Sequence, residues 1–304
     1  MKKVLTVTLN PCIDRTIYFD SFQVGKTNIV KRIMEEAAGK GINVAVGLQH
    51  LQVPVKALGF AYKEDVSKLC GKLEKENIPH CFIEVEGRLR VNQKLFDESK
   101  SEMTECNEAG YPVAKSDIET LFLLLQEELQ EAAVLVLSGS VPPGVNKDIY
   151  ARMVTMAKEK GVKVILDASG ELLKEGVQAG PYLIKPNKEE FEKTFGAGDT
   201  SKTLGQDEIE EIAKDIMDCG VNYICLSMGG DGAMLLGQGK NLSVEHQSAI
   251  EVPIRSLQGA GDAMVAGLCK AIYEGKEEKM LEYAMTMAAS TIMLEGTAMG
   301  YGSI

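Results

Sequence analysis

Short apolar runs that alternate with amphipathic stretches constrain the fold of this chain more than any other feature. Val134–Leu137 and Val164–Leu166 are apolar at every position, which is typical of strands that are buried on both faces. Asp117–Leu129 and Asp207–Asp218 instead repeat apolar residues at helical spacing. Strands that alternate with helices form parallel sheets covered by helices. The pattern therefore predicts an α/β fold with a mostly parallel central sheet and helices on both faces.

Two stretches depart from this alternation and predict a small β appendage. Arg90–Phe96 and Glu102–Cys106 alternate apolar and polar residues, while Thr16–Glu35 shows little helical period. We expect a small sheet formed from about residues 12–36 and 88–108. Since 45% of the residues are hydrophobic, the remaining chain can bury one large core, and we expect a single domain over 1–304.

The charge and hydropathy of the chain limit the classes of partner that it is expected to bind. The chain has 33 basic and 44 acidic residues, a formal net charge of −11. This balance argues against a protein that binds nucleic acid or a membrane surface, although a local basic pocket can still bind a small anion. The apolar run at the N-terminus reaches only Leu9, too short for a signal peptide, and no run approaches the roughly 20 residues that span a bilayer. We expect a cytoplasmic protein.

Loops that follow predicted strands are the places to look for a ligand site. In open α/β sheets, ligands bind at the carboxyl ends of the strands. Polar or glycine-rich loops follow five predicted strands, and they begin at Asn10, Ser138, Asp167, Lys185 and Ser227. Neither the phosphate-binding pattern GxxxxGK(S/T) nor a GxGxxG dinucleotide fingerprint after a strand is present.

The sequence Gly-Ala-Gly-Asp occurs twice, and its surroundings distinguish the copies. Gly196–Asp199 follows the helix-like run Glu189–Phe195, which indicates a helix C-terminus. Gly259–Asp262 follows the strand-like run Val252–Leu257 and begins an apolar helix. Backbone N–H groups and the dipole at a helix start stabilise the charge of a transferred phosphoryl group. Asp262 then either accepts the proton of an attacking hydroxyl or caps the helix.

Seven short segments occur in the order that is characteristic of one enzyme family. They are Thr8–Pro11 with Asp14, Gly39–Ala45, Arg90–Asn92, Ser138–Ser140 with Pro142–Gly144, Lys185–Asn187 with Glu190, Ser227–Gly229 with Asp231–Ala233, and Gly259–Asp262 with Met264–Gly267. Together they resemble the ribokinase/PfkB carbohydrate kinases, in particular the 1-phosphofructokinase and tagatose-6-phosphate kinase branch. The resemblance implies a ribokinase-like three-layer α/β/α fold, a small β lid, and use of ATP with Mg²⁺.

The resemblance also implies a role for individual residues. The general base would be Asp262, beside an anion hole formed by the backbone of Gly259, Ala260 and Gly261. The substrate site would be formed by Asp14, Lys26, Gly39, Lys40, Gly41, Asn43, Arg90, Asn92 and Ser138. Within that set, Arg90 and Lys26 would bind the phosphate that the sugar already carries. The nucleotide would contact Lys185, Asn187, Ser227, Gly229 and Gly232. Magnesium would be held largely through water by Asn187 and Glu190.

These implications lead to a specific expectation about function. The leading reaction is ATP-dependent phosphorylation of fructose 1-phosphate to fructose 1,6-bisphosphate, ahead of tagatose 6-phosphate and fructose 6-phosphate as substrates. A homodimer that pairs through the lid is expected. A sensor of sugar phosphate or nucleotide without turnover is the alternative of another class. Asn187 and Glu190 have an alternative as well, a capping box at a helix start.

The chain departs from the family pattern at three places. The family has two glycines where this chain has Ala38-Gly39, and Thr-Val where it has Leu257-Gln258. The branch commonly carries arginine where this chain has Ile29. None of these changes affects the expected base or magnesium residues. The last two are expected near the substrate or the nucleotide, so they bear on the identity of the substrate more than on the chemistry.

Overall fold

The strands of the chain are described by a computed structural model that covers residues 2–196, 203–239 and 242–303. In chain order the strands are β1 Lys3–Thr8, β2 Cys12–Phe19, β3 Arg32–Ala38, β4 Val55–Tyr62, β5 His80–Val85, β6 Arg90–Asp97, β7 Glu102–Asn107, β8 Ala132–Ser138, β9 Lys163–Asp167, β10 Leu183–Ile184, β11 Tyr223–Ser227, β12 Ala233–Gly237 and β13 Ser243–Gln247.

The helices are shorter than a bilayer is thick. They are α1 Lys40–His50, α2 Val66–Lys75, α3 Lys115–Glu128, α4 Ile149–Glu159, α5 Gly170–Gln178, α6 Lys188–Phe195, α7 Gln206–Asp218, α8 Ala260–Glu274 and α9 Met280–Ile292. Within the described ranges, no helix combines the length and the apolar character that crossing a membrane requires.

The large sheet has the order β13-β12-β11-β10-β9-β8-β1-β4-β5. Its strands are parallel from β5 to β11, while β12 and β13 form an antiparallel edge. Alternate residues of β8 enter different cores: Leu135 and Leu137 pack on one face of the sheet, Val134 and Val136 on the other. Helices α1, α8 and α9 cover one face, and α3, α4, α5 and α7 the other. The predicted three-layer α/β fold is confirmed.

The small sheet has the order β3-β2-β6-β7, and β2 runs parallel to β6. Its strands include the two that the alternation between residues 90 and 106 predicts. Asp14 lies opposite Asn92, and Thr16 lies opposite Lys94. Because side chains on a strand alternate between faces, Arg90, Asn92 and Lys94 share one face of β6. Those three side chains line a cleft between the small sheet and the large one.

The prediction of a strand at Val252–Leu257 is wrong. The segment has no sheet partner among the described residues and forms a loop that leads to α8. Pro253 lacks a backbone N–H for a sheet ladder, and the side chains of Ile254 and Leu257 are exposed. The N–H groups of Arg255 and Ser256 instead donate to the carbonyl of Ile292 at the end of α9. The apolar residues Val252, Ile254 and Leu257 alone therefore did not distinguish a strand from an exposed loop.

Candidate active site

A cleft of about 420 Å³ opens between the small sheet and the carboxyl ends of the central strands. The residues that line it come from β1, β2, β6, β8 and the starts of α1 and α8, which are distant in the sequence. Ten of the residues expected from the sequence lie on its wall: Asp14, Gly39, Lys40, Asn43, Arg90, Asn92, Ser138, Glu190, Gly259 and Asp262. The fold thus brings both the expected base and most of the expected sugar ligands into one site.

Ser227, Gly229 and Gly232, expected at the nucleotide, lie beside this cleft and not on its wall. Ser227 ends β11 and pairs as an isolated bridge with Asn187, at the neighbouring strand end. Gly229 begins a short 3₁₀ turn with open space beside its Cα, so this end of the sheet is accessible. The expected sugar and nucleotide ligands therefore occupy adjacent parts of the same sheet edge.

Gly41 and Lys26 are the expected substrate ligands that are not on the cleft wall, and Lys26 is exposed. Lys26 lies in the loop between β2 and β3. Ile29, which replaces the arginine of the family pattern, lies in the same loop with 88% of its surface exposed. Within one chain, therefore, neither Lys26 nor the change at Ile29 affects the wall of the cleft.

Gly41 is required where α1 packs against β1. A Cβ at this position would lie 2.8 Å from the carbonyl oxygen of Val7 and 2.5 Å from the hydroxyl of Thr8. Because real Cβ atoms do not approach a carbonyl oxygen so closely, only glycine allows the helix to begin here. The close approach holds Lys40 and Asn43, on the first turn of α1, at the base of the cleft.

The start of α8 has the backbone features expected of a site that stabilises a developing negative charge. Gly259 adopts a φ of +75°, in the region that favours glycine, and α8 begins at Ala260 with Gly261 as its second residue. The first N–H groups of a helix lack intrahelical acceptors and carry the positive end of its dipole. Asp262 is the third residue of α8 and is not its capping residue, because Gly259 holds that position without any side-chain hydrogen bond.

Burial and hydrogen bonding change the pKa of the Asp262 carboxylate. It is 7% exposed, and one of its oxygens accepts a hydrogen bond of 2.8 Å from the side-chain amide of Asn43. Burial raises the pKa of Asp262 to about 6, against the opposing effects of Lys40, the Asn43 hydrogen bond and Lys185; the negative charge of Asp167 adds to the rise. Asp262 is therefore ionised near neutral pH and is more basic than an ordinary carboxylate.

Two lysines share one buried carboxylate at the floor of the cleft. Asp167 is fully buried and lies 3.2 Å from the ammonium of Lys40 and 3.3 Å from that of Lys185. Burial opposes ionisation of Asp167, but Lys185 and Lys40 outweigh it and hold its pKa below the usual range. The ammonium of Lys185 is also 3.5 Å from where Gly261 would carry a Cβ. One buried anion thus fixes two cations beside the start of α8.

Asn187 and Glu190 form the capping box that was the alternative to a magnesium site. The amide oxygen of Asn187 accepts from the N–H of Glu190 at 2.7 Å, and Oε2 of Glu190 accepts from the N–H of Asn187 at 2.9 Å. Glu190 nevertheless lines the cleft, and its other carboxylate oxygen makes no hydrogen bond to any described residue. A single carboxylate oxygen at the cleft fits Mg²⁺, which keeps most of its waters and binds few protein ligands.

The first Gly-Ala-Gly-Asp copy ends a helix, as its surroundings indicate. Gly196 closes α6, and its N–H donates to the carbonyl of Glu192 at 2.9 Å. Residues 197–199, including Asp199, lie outside the described residues. Of the described residues of the two copies, only Gly259 and Asp262, in the second copy, line the cleft.

Several polar atoms near the cleft are buried without a partner. Across the described residues, these atoms include Oδ1 of Asn10, Oδ1 of Asn43 and Oγ of Ser138, which belong to residues of the cleft wall. Buried polar groups are nearly always hydrogen-bonded in native proteins. A ligand with several hydroxyl or phosphate groups would satisfy them, and Asn43 and Ser138 are both residues that the sequence assigned to the substrate.

The sequence assigned no role to Lys94, which lines the cleft, or to Asp167, which is buried beneath it and pairs with Lys40 of its wall. Asp167 ends β9 directly before one of the polar loops, so its position was a signal of the site. Lys94 follows Arg90 and Asn92 at steps of two on β6, and this spacing predicts a shared face once the segment is recognised as a strand. That period was the signal that could have identified Lys94.

Comparison with known proteins agrees with the fold. Residues 7–301 match the family described as pfkB family carbohydrate kinase. The 1-phosphofructokinase of Vibrio cholerae serotype O1 is 32% identical over 300 residues, 98% of this chain and 92% of the relative. The 1-phosphofructokinase of Bacillus subtilis is 34% identical, over 88% of this chain and 85% of the relative.

A solved structure shows the same architecture. The tetrameric inhibited form of phosphofructokinase-2 from Escherichia coli superposes with a TM-score of 0.87 at 25% identity, over 96% of this chain and 95% of that one. With a family match over nearly its whole length, the chain belongs to the pfkB family of carbohydrate kinases.

Proposed function

We propose that this protein is an ATP-dependent kinase that phosphorylates a phosphorylated ketohexose. The observation that carries the proposal is the buried Asp262 at the start of α8, in one cleft with Asp14 and Arg90. Fructose 1-phosphate is the preferred substrate and fructose 1,6-bisphosphate the product. The names of the relatives from Vibrio cholerae and Bacillus subtilis support this choice over tagatose 6-phosphate or fructose 6-phosphate.

Asp262 acts on the hydroxyl that attacks ATP. The oxygen of that hydroxyl forms a bond to the γ-phosphorus, the bond to the β-phosphate oxygen breaks, and ADP leaves. The proton of the hydroxyl passes to Asp262, whose raised pKa makes it a better proton acceptor. The N–H groups at the start of α8 and the ammonium of Lys185 stabilise the charge on the transferred group.

The remaining cleft residues bind and orient the sugar phosphate. Asp14 accepts hydrogen bonds from sugar hydroxyls, and Ser138 and Asn43 supply buried polar atoms that have no partner in the described part of the chain. Arg90 already uses Nε and Nη1 to bond Asn10, Asn92 and Glu108. Its Nη2 bonds no described residue and is available to a phosphate oxygen, as expected for an anchored arginine.

Magnesium fits beside Glu190 and Asn187. Glu190 and Asn187 would hold the ion mainly through water, and the ion would neutralise part of the charge on the ATP phosphates. The ammonium of Lys40, whose pKa is raised by Asp167, adds positive charge to the same region.

We also propose a homodimer in which the small sheet acts as a lid and pairs with that of a second copy. The face of the sheet that points away from the cleft carries Ile33, which is 54% exposed, and the adjoining loop exposes Val24 and Ile29. Exposed apolar side chains clustered on one surface are typical of an interface. Light scattering should give twice the mass of the chain, and Ile33→Glu should reduce it. A monomer at micromolar concentration would contradict the dimer.

The substrate is tested by coupled ADP release over a panel of ketohexoses, each with and without a phosphate. Fructose 1-phosphate should give the highest kcat/KM, and unphosphorylated sugars should be poor substrates because the cations of the cleft then have no anion to bind. If no sugar phosphate stimulates ADP release above the rate with ATP alone, the proposed function is wrong.

A further inference from the structure

Lys94 is a buried cation at the junction of the small sheet and the α8 loop. It is 6% exposed and lines the cleft. Its ammonium donates to Oδ2 of Asp14 and to Oε1 of Gln258, both at 2.8 Å. A buried ammonium costs free energy unless its partners compensate, and here the two partners come from different parts of the chain.

The partners of Lys94 are both adjacent to the substrate region. Asp14 also accepts a hydrogen bond from the amide of Asn92 at 3.1 Å, so it is held by two neighbours on β6. Gln258 directly precedes Gly259, the residue before α8. It is also one of the positions at which this chain departs from the family pattern. A glutamine oxygen accepts the hydrogen bond from Lys94, which an apolar side chain at this position could not do.

The ammonium retains one donor for a ligand. A lysine carries three N–H bonds, and Asp14 and Gln258 use two of them. Among the described residues no further acceptor bonds this group, and the side chain faces the cleft. Lys94 also neutralises Asp14, whose unpaired carboxylate would repel an anionic substrate at this position.

We propose that Lys94 is a substrate-binding residue, whose third N–H donates to an oxygen of the sugar phosphate while the other two fix Asp14 and Gln258. This inference rests on the proposed kinase function and adds a ligand to the sugar site.

Lys94→Met tests the inference because methionine keeps the length of the side chain and removes its charge and donors. Losing a charged hydrogen bond should raise KM for fructose 1-phosphate roughly tenfold or more. KM for ATP should change less than twofold. Lys94→Arg should recover part of the loss, because it restores the charge and the donors.

Two further variants separate this role from general effects. Gln258→Met removes one partner but keeps the Asp14 pair and the free donors, so the sugar KM should stay within about threefold of wild type. Lys100→Met removes an exposed lysine that pairs with Asp97 at the other end of the small sheet, and should leave both KM values unchanged. An equal rise of both KM values in Lys94→Met, or a sugar KM within twofold of wild type, would overturn the proposal.

Binding measured without turnover separates this inference from the proposed function. In the Asp262→Asn background, calorimetry should show that Lys94→Met weakens fructose 1-phosphate binding roughly tenfold or more. An unchanged affinity for fructose 1-phosphate would contradict the role of Lys94, whether or not the protein has kinase activity. If Lys94→Met melts well below wild type, the Lys94→Gln variant, which is neutral but keeps amide donors, should still bind the sugar phosphate more weakly.

Discussion

The side-chain amide of Asn43 donates a hydrogen bond of 2.8 Å to the carboxylate of Asp262, although 219 positions separate the two residues. Asn43 lies in the first turn of α1 and Asp262 in the first turn of α8, so the bond joins the starts of two packed helices. It fixes one carboxylate oxygen and leaves the other without a hydrogen bond to any described residue. Among the described residues, the buried amide oxygen of Asn43 has no hydrogen-bond partner, so it can accept a hydrogen bond from a ligand.

Replacing the base should abolish turnover while nucleotide binding persists. Asp262→Asn keeps the size and an acceptor for the Asn43 amide but cannot take up the proton. We expect kcat to fall by roughly 10²–10⁴, the usual effect of losing a general base, with Kd for ATP nearly unchanged. Steady-state kinetics and nucleotide titration measure both. Asp199→Asn, in the first Gly-Ala-Gly-Asp copy, is the matched control. A kcat within a few-fold of wild type for Asp262→Asn would show that Asp262 is not the general base.

The same substitution should stabilise the free protein in a pH-dependent manner. The pKa of Asp262 is raised from 3.8 to about 6 in the fold, mainly by burial. Its stabilising contribution is therefore present below pH about 4 and is lost as the pH rises through about 6. Asp262→Asn should thus have a higher Tm than wild type at pH 8, and the difference should vanish near pH 4. A Tm difference that does not change with pH would contradict the raised pKa.

Arg90→Ala should affect the sugar phosphate far more than ATP. A hydrogen bond to a charged group contributes about 1.5–3 kcal/mol, so KM for fructose 1-phosphate should rise roughly tenfold or more. KM for ATP should be nearly unchanged. Arg88→Ala is the control, because Arg88 pairs with Glu108, stacks on Tyr111 and does not line the cleft. If both substrates respond equally to Arg90→Ala, the arginine is not at the sugar phosphate.

Glu190→Gln should weaken the dependence of turnover on magnesium. Glutamine can still complete a capping box with Asn187, so α6 should remain intact and the Tm close to wild type. The magnesium concentration for half-maximal activity should rise, because the cleft loses a carboxylate oxygen. Glu189→Gln, whose carboxylate is exposed and pairs with Lys193, should leave it unchanged. If the magnesium titration of Glu190→Gln matches that of wild type, Glu190 caps α6 and does not bind magnesium.

Local patterns allowed the layers of the fold to be predicted from the sequence. The two-sided burial of β8 and the amphipathic spacing of α3 and α7 are properties of neighbouring residues, and they correctly indicated the α/β fold. The order of short family segments likewise identified the sugar kinases before any contact was known. Ten of the expected site residues then met in one cleft because the carboxyl ends of parallel strands share one edge of the sheet.

The tertiary structure alone decided which side chains touch. The parallel pairing of β2 with β6 brings Asp14 to Asn92 and Lys94 across about eighty positions of sequence, and no local pattern sets that register. Val252–Leu257 was wrongly predicted as a strand because spaced apolar residues occur in exposed loops as well as in strands. Likewise, the sequence proposed Asp262 as a base or a cap, and the packing of α1 against α8 gave it burial and Asn43 as partner. The burial of a side chain and the register of a strand depend on segments that are distant in the sequence. Composition and apolar periodicity depend only on residues that are close in the sequence.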